Sequence, residues 1–488
     1  MNRLCTLYVL AGVAFTLAGC AMSAPEQLDD FSEDASILGD AIDALYPSKD
    51  RYGQGQVVDK AVSRMIDVAK STNDAMLFYK SVAAVAVATR DEHIIPFPPE
   101  DYRAYRREAT MMLPYTVVWR QGRPLLAAVA YPEYESLIGA QIIAFDGLPF
   151  EAVRETLVAT IPSDGLSESF ALRHLQDFTP TQNENYFDLN YPIWFGARET
   201  YQLTLAKDDG SSQTTLELDA LDWTQFSRFY RERLPRARPV QFRWVDDEIA
   251  YLEILSFHDW YYEEHAVEAE VEFSNIFASL TTRNAGTLIL DLRRNEGGGD
   301  VSSLLLDYLM ESRFSEYDAV ITKFVGQPDA ARHCENANEV AFDPAWAVAT
   351  EDDLFALKES YYGLITGADE RQPNAARFGG KVIVLISGAT GSAAAKVAAM
   401  LEQRDQVVFI GEETGGAAAG ATAYGNCRLR LPRSDIIVDI PLIRFERDVD
   451  GQYGRGVLPD ILVDVSMVGK EVDQALGTAI RWARDGAD

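Results

Sequence analysis

The segment Lys381–Gln403, KVIVLISGATGSAAAKVAAMLEQ, passes from an apolar run through a turn of small residues into an alanine-rich stretch opening near Ser392. A buried strand followed by such a helix would expose the Ser392 hydroxyl beside N–H groups that a first helical turn cannot use itself. A nucleophile and a stabiliser for the oxyanion of acyl transfer then share one turn. Taken alone, this serine reads more readily as a helix N-cap, a role serine often fills. A second segment, TLILDLRRNEGGG (Thr287–Gly299), runs from a strand-like stretch into three glycines. Glycines let the main chain approach a ligand and aim its N–H groups inward, so a second oxyanion donor fits here. A loop that needs glycine for its dihedrals fits as well, and so does a phosphate cradle. Neither GxGxxG nor GxxxxGK[ST] is present, which leaves nucleotide binding with little behind it.

Together the two segments resemble the family of C-terminal-processing and tricorn-core serine peptidases, which are tail-specific-protease-like and include related retinoid-binding modules. Asp291-Leu292-Arg293 with Asn295 and Gly297-Gly298 is similar to that family's DLRxNxGG, and Gly388-Ala389-Thr390-Gly391-Ser392-Ala393 to its nucleophile turn. Gly411-Glu412-Glu413-Thr414-Gly415-Gly416 begins nineteen residues after Ser392, and Gly456-Val457-Leu458-Pro459-Asp460-Ile461 resembles a GVxPDI signature. With a PDZ-like stretch at Gly139–Gly147, the resemblance spans roughly residues 35–485.

The resemblance implies a serine endopeptidase acting on polypeptides through a Ser392 acyl-enzyme, with Ala393 and Gly297 or Gly298 as oxyanion donors. Where the Ser-Lys branch has a lysine, twenty-five residues after the nucleophile, this chain has Ala417. Alanine cannot take a proton, so the tricorn-like Ser-His branch is the closer fit. That branch draws its base from the N-terminal part of the chain, commonly in a DGHT-like turn. Thr89-Arg90-Asp91-Glu92-His93 stands at the matching place, with Glu92 where glycine is usual, so the expected base is His93. The bland alternative is a solvent-facing turn histidine; His258 is next in line as a base. Lys396, one turn beyond Ser392, reads as a solvated helix residue. The third triad member is expected among the acids before GVLPDI: Asp450 is named, with Asp448 and Glu446 beside it. The rival reading keeps the fold and loses the chemistry: a catalytically inactive, peptidase-like binding protein.

These residues need elements to hold them. Apolar residues at three- and four-residue intervals over Val57–Lys70 and Asp74–Thr89 predict helices, hence an N-terminal helical domain over residues 35–112. Alternating runs at Tyr115–Trp119, Leu125–Ala130, Gln141–Phe145, Tyr201–Leu205 and Thr214–Leu218 predict strands of a PDZ-like β-rich domain over 113–222. An insertion falls at about 162–196, and Asp146-Gly147 supplies a tight turn. From 223 to 488, strand candidates Ile249–Leu255, Thr287–Leu292, Val382–Ile386 and Val407–Ile410 separated by helical stretches predict a catalytic α/β domain. The resemblance implies a core of the ClpP/crotonase-like β-spiral type, within a multidomain α+β chain.

At the other end, Arg3 precedes an apolar stretch, Leu4–Leu17, of signal-peptide length and too short to span a bilayer permanently. Leu17-Ala18-Gly19-Cys20 resembles a bacterial lipobox, which implies lipidation of Cys20 after removal of residues 1–20 and a tether over 21–34. No Asp follows Cys20, so the resemblance points to an outer-membrane lipoprotein facing the periplasm, with a free periplasmic protein as runner-up. The chain carries 44 Lys and Arg against 75 Asp and Glu, a formal charge of -31. Such a surface repels nucleic acid and anionic headgroups, which excludes nucleic-acid partners. Cys334 and Cys427 are the cysteines left for the mature chain, and an oxidising compartment permits them to pair without the sequence deciding that they do. Five scattered His and no CxxC or HExxH argue against a metal site, and no cofactor motif is present.

Overall fold

The apolar runs of the C-terminal half stack side by side because each is buried on both faces, as parallel strands flanked by helices must be. In a computed structural model that describes residues 30–176, 186–206, 212–231, 237–358, 370–449, 453–466 and 472–486, they form a six-stranded sheet. Its order is Ile461–Leu462, Val407–Gly411, Lys381–Ile386, Thr287–Asp291, Ile249–Ile254 and Val240–Trp244; only the last pairs antiparallel. One face packs against Ala269–Thr282, Val301–Leu309 and Ser392–Leu401, with Phe277, Leu305 and Val397 buried between. The other face is covered by Gln474–Asp485 through Ala479. Ser392 and the three glycines therefore both sit just past the C-terminal ends of neighbouring parallel strands, where open α/β sheets place their sites.

The expected helices are present as Gly55–Ala69 and Ala75–Ala88, and a third precedes them at Ser32–Leu45. The last tether residues are thus already folded. Asp34 is fully buried and accepts the N–H groups of Arg433 (3.0 Å) and Ser434 (2.7 Å). These helices share one apolar core with strands near the other end of the chain, Leu38, Val58 and Phe78 lying in the same cluster as Leu429, Val438 and Ile443. The strand Ile95–Phe97, two residues past His93, pairs antiparallel with Ile437–Ile440. This pairing ties an N-terminal turn to a C-terminal sheet across more than three hundred residues of chain.

The expected strands at 115–218 are strands as well, in a hairpin (Tyr115–Arg120 with Arg123–Val129) and a four-stranded antiparallel sheet. Asp146 and Gly147 connect two of them with φ of 48° and 79°, the two positive values that a tight two-residue hairpin requires. The segment read as an insertion holds the helices Ser169–His174 and Tyr186–Phe195, whose Phe170, Phe187 and Tyr191 complete this unit's core. The whole is a mixed α/β chain.

Cys334 and Cys427 form a disulfide, with Cα atoms 5.3 Å apart and Cys427 fully buried. The bridge closes a loop of 93 residues, so it removes much of the freedom of the unfolded chain. Replacing both cysteines with alanine should lower stability by about 2–5 kcal/mol, read as a lower urea midpoint for unfolding. Among the described residues no helix is long and apolar enough to cross a membrane. Cys20 and the apolar leader lie outside the described residues.

Candidate active site

The loop before Ser392 is wired to the glycine loop by side chains that the motifs share. Ser387 Oγ donates to Arg293 O (2.6 Å), Thr390 Oγ1 to Leu292 O (2.9 Å), and Gly391 N–H to Asn295 O (3.1 Å). Asn295, fully buried, donates to Ile254 O (3.1 Å) and accepts from Gly297 N–H (2.8 Å). Asp291 and Arg293 are structural: their ion pair is extended by Asp473, the cap of the last helix, and by Tyr251 Oη on Asp291 (2.8 Å). These bonds fix where the nucleophile turn stands relative to the glycines.

Ser392 opens its helix with φ 43°, a left-handed conformation that strains an L-residue and is found where a functional turn holds it. Gly391 occupies the N-cap position and has no side chain with which to cap that end. The capping role weighed from the sequence is therefore not the one Ser392 Oγ plays: it lies 3.2 Å from His93 Nε2. Two groups 299 positions apart in the chain meet within reach for proton transfer.

His93 reaches that place because its turn is bound on every side. Asp91 Oδ1 accepts the His93 main-chain N–H (2.9 Å), Asp91 Oδ2 accepts Tyr46 Oη (2.7 Å), and Asp164 Oδ1 accepts Glu92 N–H (3.0 Å). Asp91 Oδ1 also faces His93 Nδ1 at 3.4 Å, an ion-pair contact that does not reach hydrogen-bond geometry. Burial alone would lower the imidazole's pKa; Asp91, then Glu92 and Asp164, overcome it and raise it to about 9. Burial pushes Asp91 upward, but the His93 side chain and Tyr46 hold it below the ordinary carboxylate range. Burial and the Asp91 charge raise Asp164 to about 6.

Among the described residues, the carboxylate that faces His93 Nδ1 is Asp91. Asp450 lies outside the described residues. Asp448 is exposed, its N–H bonded to Asp318, and Glu446 is ion-paired to Arg444 (3.0 Å). Asp91 had a local signal, two residues before the histidine. Asp164 had none, since only the fold brings it near.

Of the expected oxyanion donors, Gly297 is committed elsewhere: its N–H bonds Asn295 and its carbonyl accepts from Phe257 (2.8 Å). The Ala393 N–H stands at the second position of a helix, where no intrahelical acceptor exists. Gly298, the other glycine expected as a donor, and Ala393 line the same cavity, of about 430 Å³, as Ser392 and His93. Gly298 has φ 136°, and a Cβ there would lie 2.3 Å from His258 N. Gly298→Ala should therefore displace the donor and lower kcat by about a hundredfold or more, with KM much less affected; steady-state kinetics beside a melting curve separates this from unfolding.

His258 also lines the cavity, with its pKa lowered by burial, but its ring packs against Trp260 and no hydrogen bond joins it to Ser392. Lys396 departs from its reading as a solvated residue. It is buried, ion-paired with Glu316 and donates to Ser303 Oγ (3.2 Å). Breaking such a pair from one side is costly, and its ammonium is not offered to Ser392 as a base. Ala417 lines the cavity as a methyl group only. Asp91, His93 and Asp164 hold ligand-type atoms within 4.8 Å of one another. Each already has a protein partner: Asp91 accepts from Tyr46, Asp164 from the Glu92 and Ala417 N–H groups, and His93 meets Ser392.

Residues 248–463 match the model of peptidase family S41. No curated protein matches the sequence. Mature CPAF has a similar fold, at 14% identity and a TM-score of 0.60 over 94% of this chain and 98% of that one. Mature CPAF complexed with lactacystin gives 14% identity and a TM-score of 0.58 over 90% and 94%. At that identity the likeness is one of fold alone.

Proposed function

Residues 248–463 form a serine-type peptidase domain of family S41, and from that premise we propose that the chain cleaves peptide bonds through a Ser392 acyl-enzyme with His93 as general base. His93 Nε2 takes the hydroxyl proton as Ser392 Oγ attacks the carbonyl carbon. The oxyanion is held by the N–H groups of Ala393 and Gly298, and the imidazolium then protonates the leaving amine. Water enters by the same route in reverse and releases the acid. Asp91 orients the imidazole and balances its charge while the proton is on it. The observation that carries this reading is the 3.2 Å contact between Nε2 and Oγ at the head of a helix.

The unit at 113–222 is, on this reading, PDZ-like, and would hold a substrate peptide as an added strand beside its four-stranded sheet. The catalytic core would be of the ClpP/crotonase-like β-spiral type. Lipidation at Cys20 would keep the enzyme at the outer membrane, facing periplasmic polypeptides. The test is covalent labelling with a fluorophosphonate followed by peptide mapping. The adduct is expected on Ser392, and an unlabelled Ser392 in folded protein would leave only the inactive, peptidase-like binding protein.

A further inference from the structure

Glu92 stands between the acid and the base of the catalytic turn, and its carboxyl is not accounted for by the mechanism above. Its Oε1 accepts the main-chain N–H of Ser392 (3.1 Å) and lies 4.0 Å from His93 Nε2. Among the described residues its Oε2 is buried without a hydrogen-bond partner, and only 5% of the side chain is exposed. An ion so placed would be expensive to keep unless its neighbours gain from it. We propose that Glu92 is a positioning residue for acyl transfer: Oε1 pins the strained main chain of the nucleophile, and the charge on the carboxyl governs whether His93 is free to act as a base.

The first half follows from the nucleophile's geometry. At the first position of a helix the Ser392 N–H has no intrahelical acceptor, and its φ of 43° needs an outside hold. A glycine at position 92 would supply none. The second half follows from the surroundings. The groups around the carboxyl are Asp91 and His93 on its own turn, Asp164 bonded to its N–H, and Tyr186 from the helix Tyr186–Phe195. Arg51 stands by Asp91 and Asp164, and a second cavity that Glu92 also lines carries Arg103, Arg106 and Arg107. Burial, then Asp164, raises the Glu92 carboxyl well above the ordinary range. When it does ionise, its charge falls on the imidazole that Asp91 already faces, holding the proton on His93 and withholding the base.

The inference rests on Ser392 and His93 being the reacting pair, so the experiment uses two readouts. In protein carrying 13C-labelled histidine, the His93 ring is titrated by NMR, assigned with His93→Ala, in wild type, Glu92→Gln and Glu92→Ala. In parallel the pH profile of fluorophosphonate labelling is measured. Glu92→Gln keeps an acceptor for the Ser392 N–H and removes the charge. It should lower the His93 midpoint by on the order of one pH unit, carry the acid limb of labelling with it, and keep the plateau rate within about threefold. Glu92→Ala should show the same midpoint shift with a plateau lowered by about tenfold. A Gln variant with the wild-type His93 midpoint overturns the electrostatic half, and an Ala variant with the wild-type plateau overturns the positioning half. If labelling is independent of Ser392 in wild type, the peptidase reading fails by itself while the NMR titration still decides what Glu92 does to His93.

Discussion

Ser392→Ala is expected to lower kcat/KM for peptide hydrolysis by about 10⁴-fold or more and to abolish fluorophosphonate labelling, with little change in melting temperature. The size follows from what the hydroxyl does. Without Oγ there is no acyl-enzyme, and the residual rate comes only from binding and the oxyanion donors. The competing role separates cleanly. A capping serine replaced by alanine costs about 0.5–2 kcal/mol of stability and leaves chemistry elsewhere untouched. Here Gly391 holds the cap position and the hydroxyl faces an imidazole, so the loss should fall on turnover rather than on folding. Undiminished hydrolysis by the folded alanine variant would remove Ser392 from the mechanism and leave only a shared architecture.

Much of this was legible because local rules and the global fold agree along the strands and helices. Lys381–Ile386 reads as a buried strand since five of its six residues are fully buried, and the small-residue turn can only lead into the helix that follows. Asp146-Gly147 reads as a tight turn for a stereochemical reason, and both residues have positive φ. What was not legible is what depends on distant partners. Nothing local says that Lys396 meets Glu316, eighty positions away, so a helix lysine reads as solvated when it is buried in an ion pair. The bond from the Gly297 N–H to the Asn295 side chain is local, two residues apart as in an Asx turn, and it removes one of the glycines that look like donors. An acid-rich chain offers triad candidates cheaply: several stand ahead of GVLPDI, and another, Asp91, stands two residues before the histidine. The Cys334–Cys427 pairing likewise depends on two segments that only the fold brings together, Cys334 bridging to Leu429 beside the second cysteine.

His93→Ala should cost nearly as much as Ser392→Ala, because nucleophile and base act as one unit and the losses do not add. The double variant is therefore expected to be no slower than either single one by more than about tenfold. The pH dependence gives the sharper check. A histidine raised to about 9 by Asp91, Glu92 and Asp164 against the pull of burial is mostly protonated at neutral pH, and a protonated imidazole cannot accept the Ser392 proton. The sign is fixed: kcat/KM should climb with pH through neutrality and level off only as the imidazole loses its proton near 9. Asp91→Asn removes the first of the charges that raise the imidazole, so its limb should move to lower pH. Its plateau should fall by up to about 10⁴-fold, as it does when the orienting acid of a triad is made neutral. The two effects have opposite consequences at pH 7, where the variant has more neutral histidine but holds it less well. A variant slower at every pH, with its limb displaced downward, assigns both orientation and charge balance to Asp91. A limb left where wild type has it would mean that another carboxylate sets the imidazole's proton affinity, and Asp164, bonded to the neighbouring main-chain N–H, would take its place in the argument.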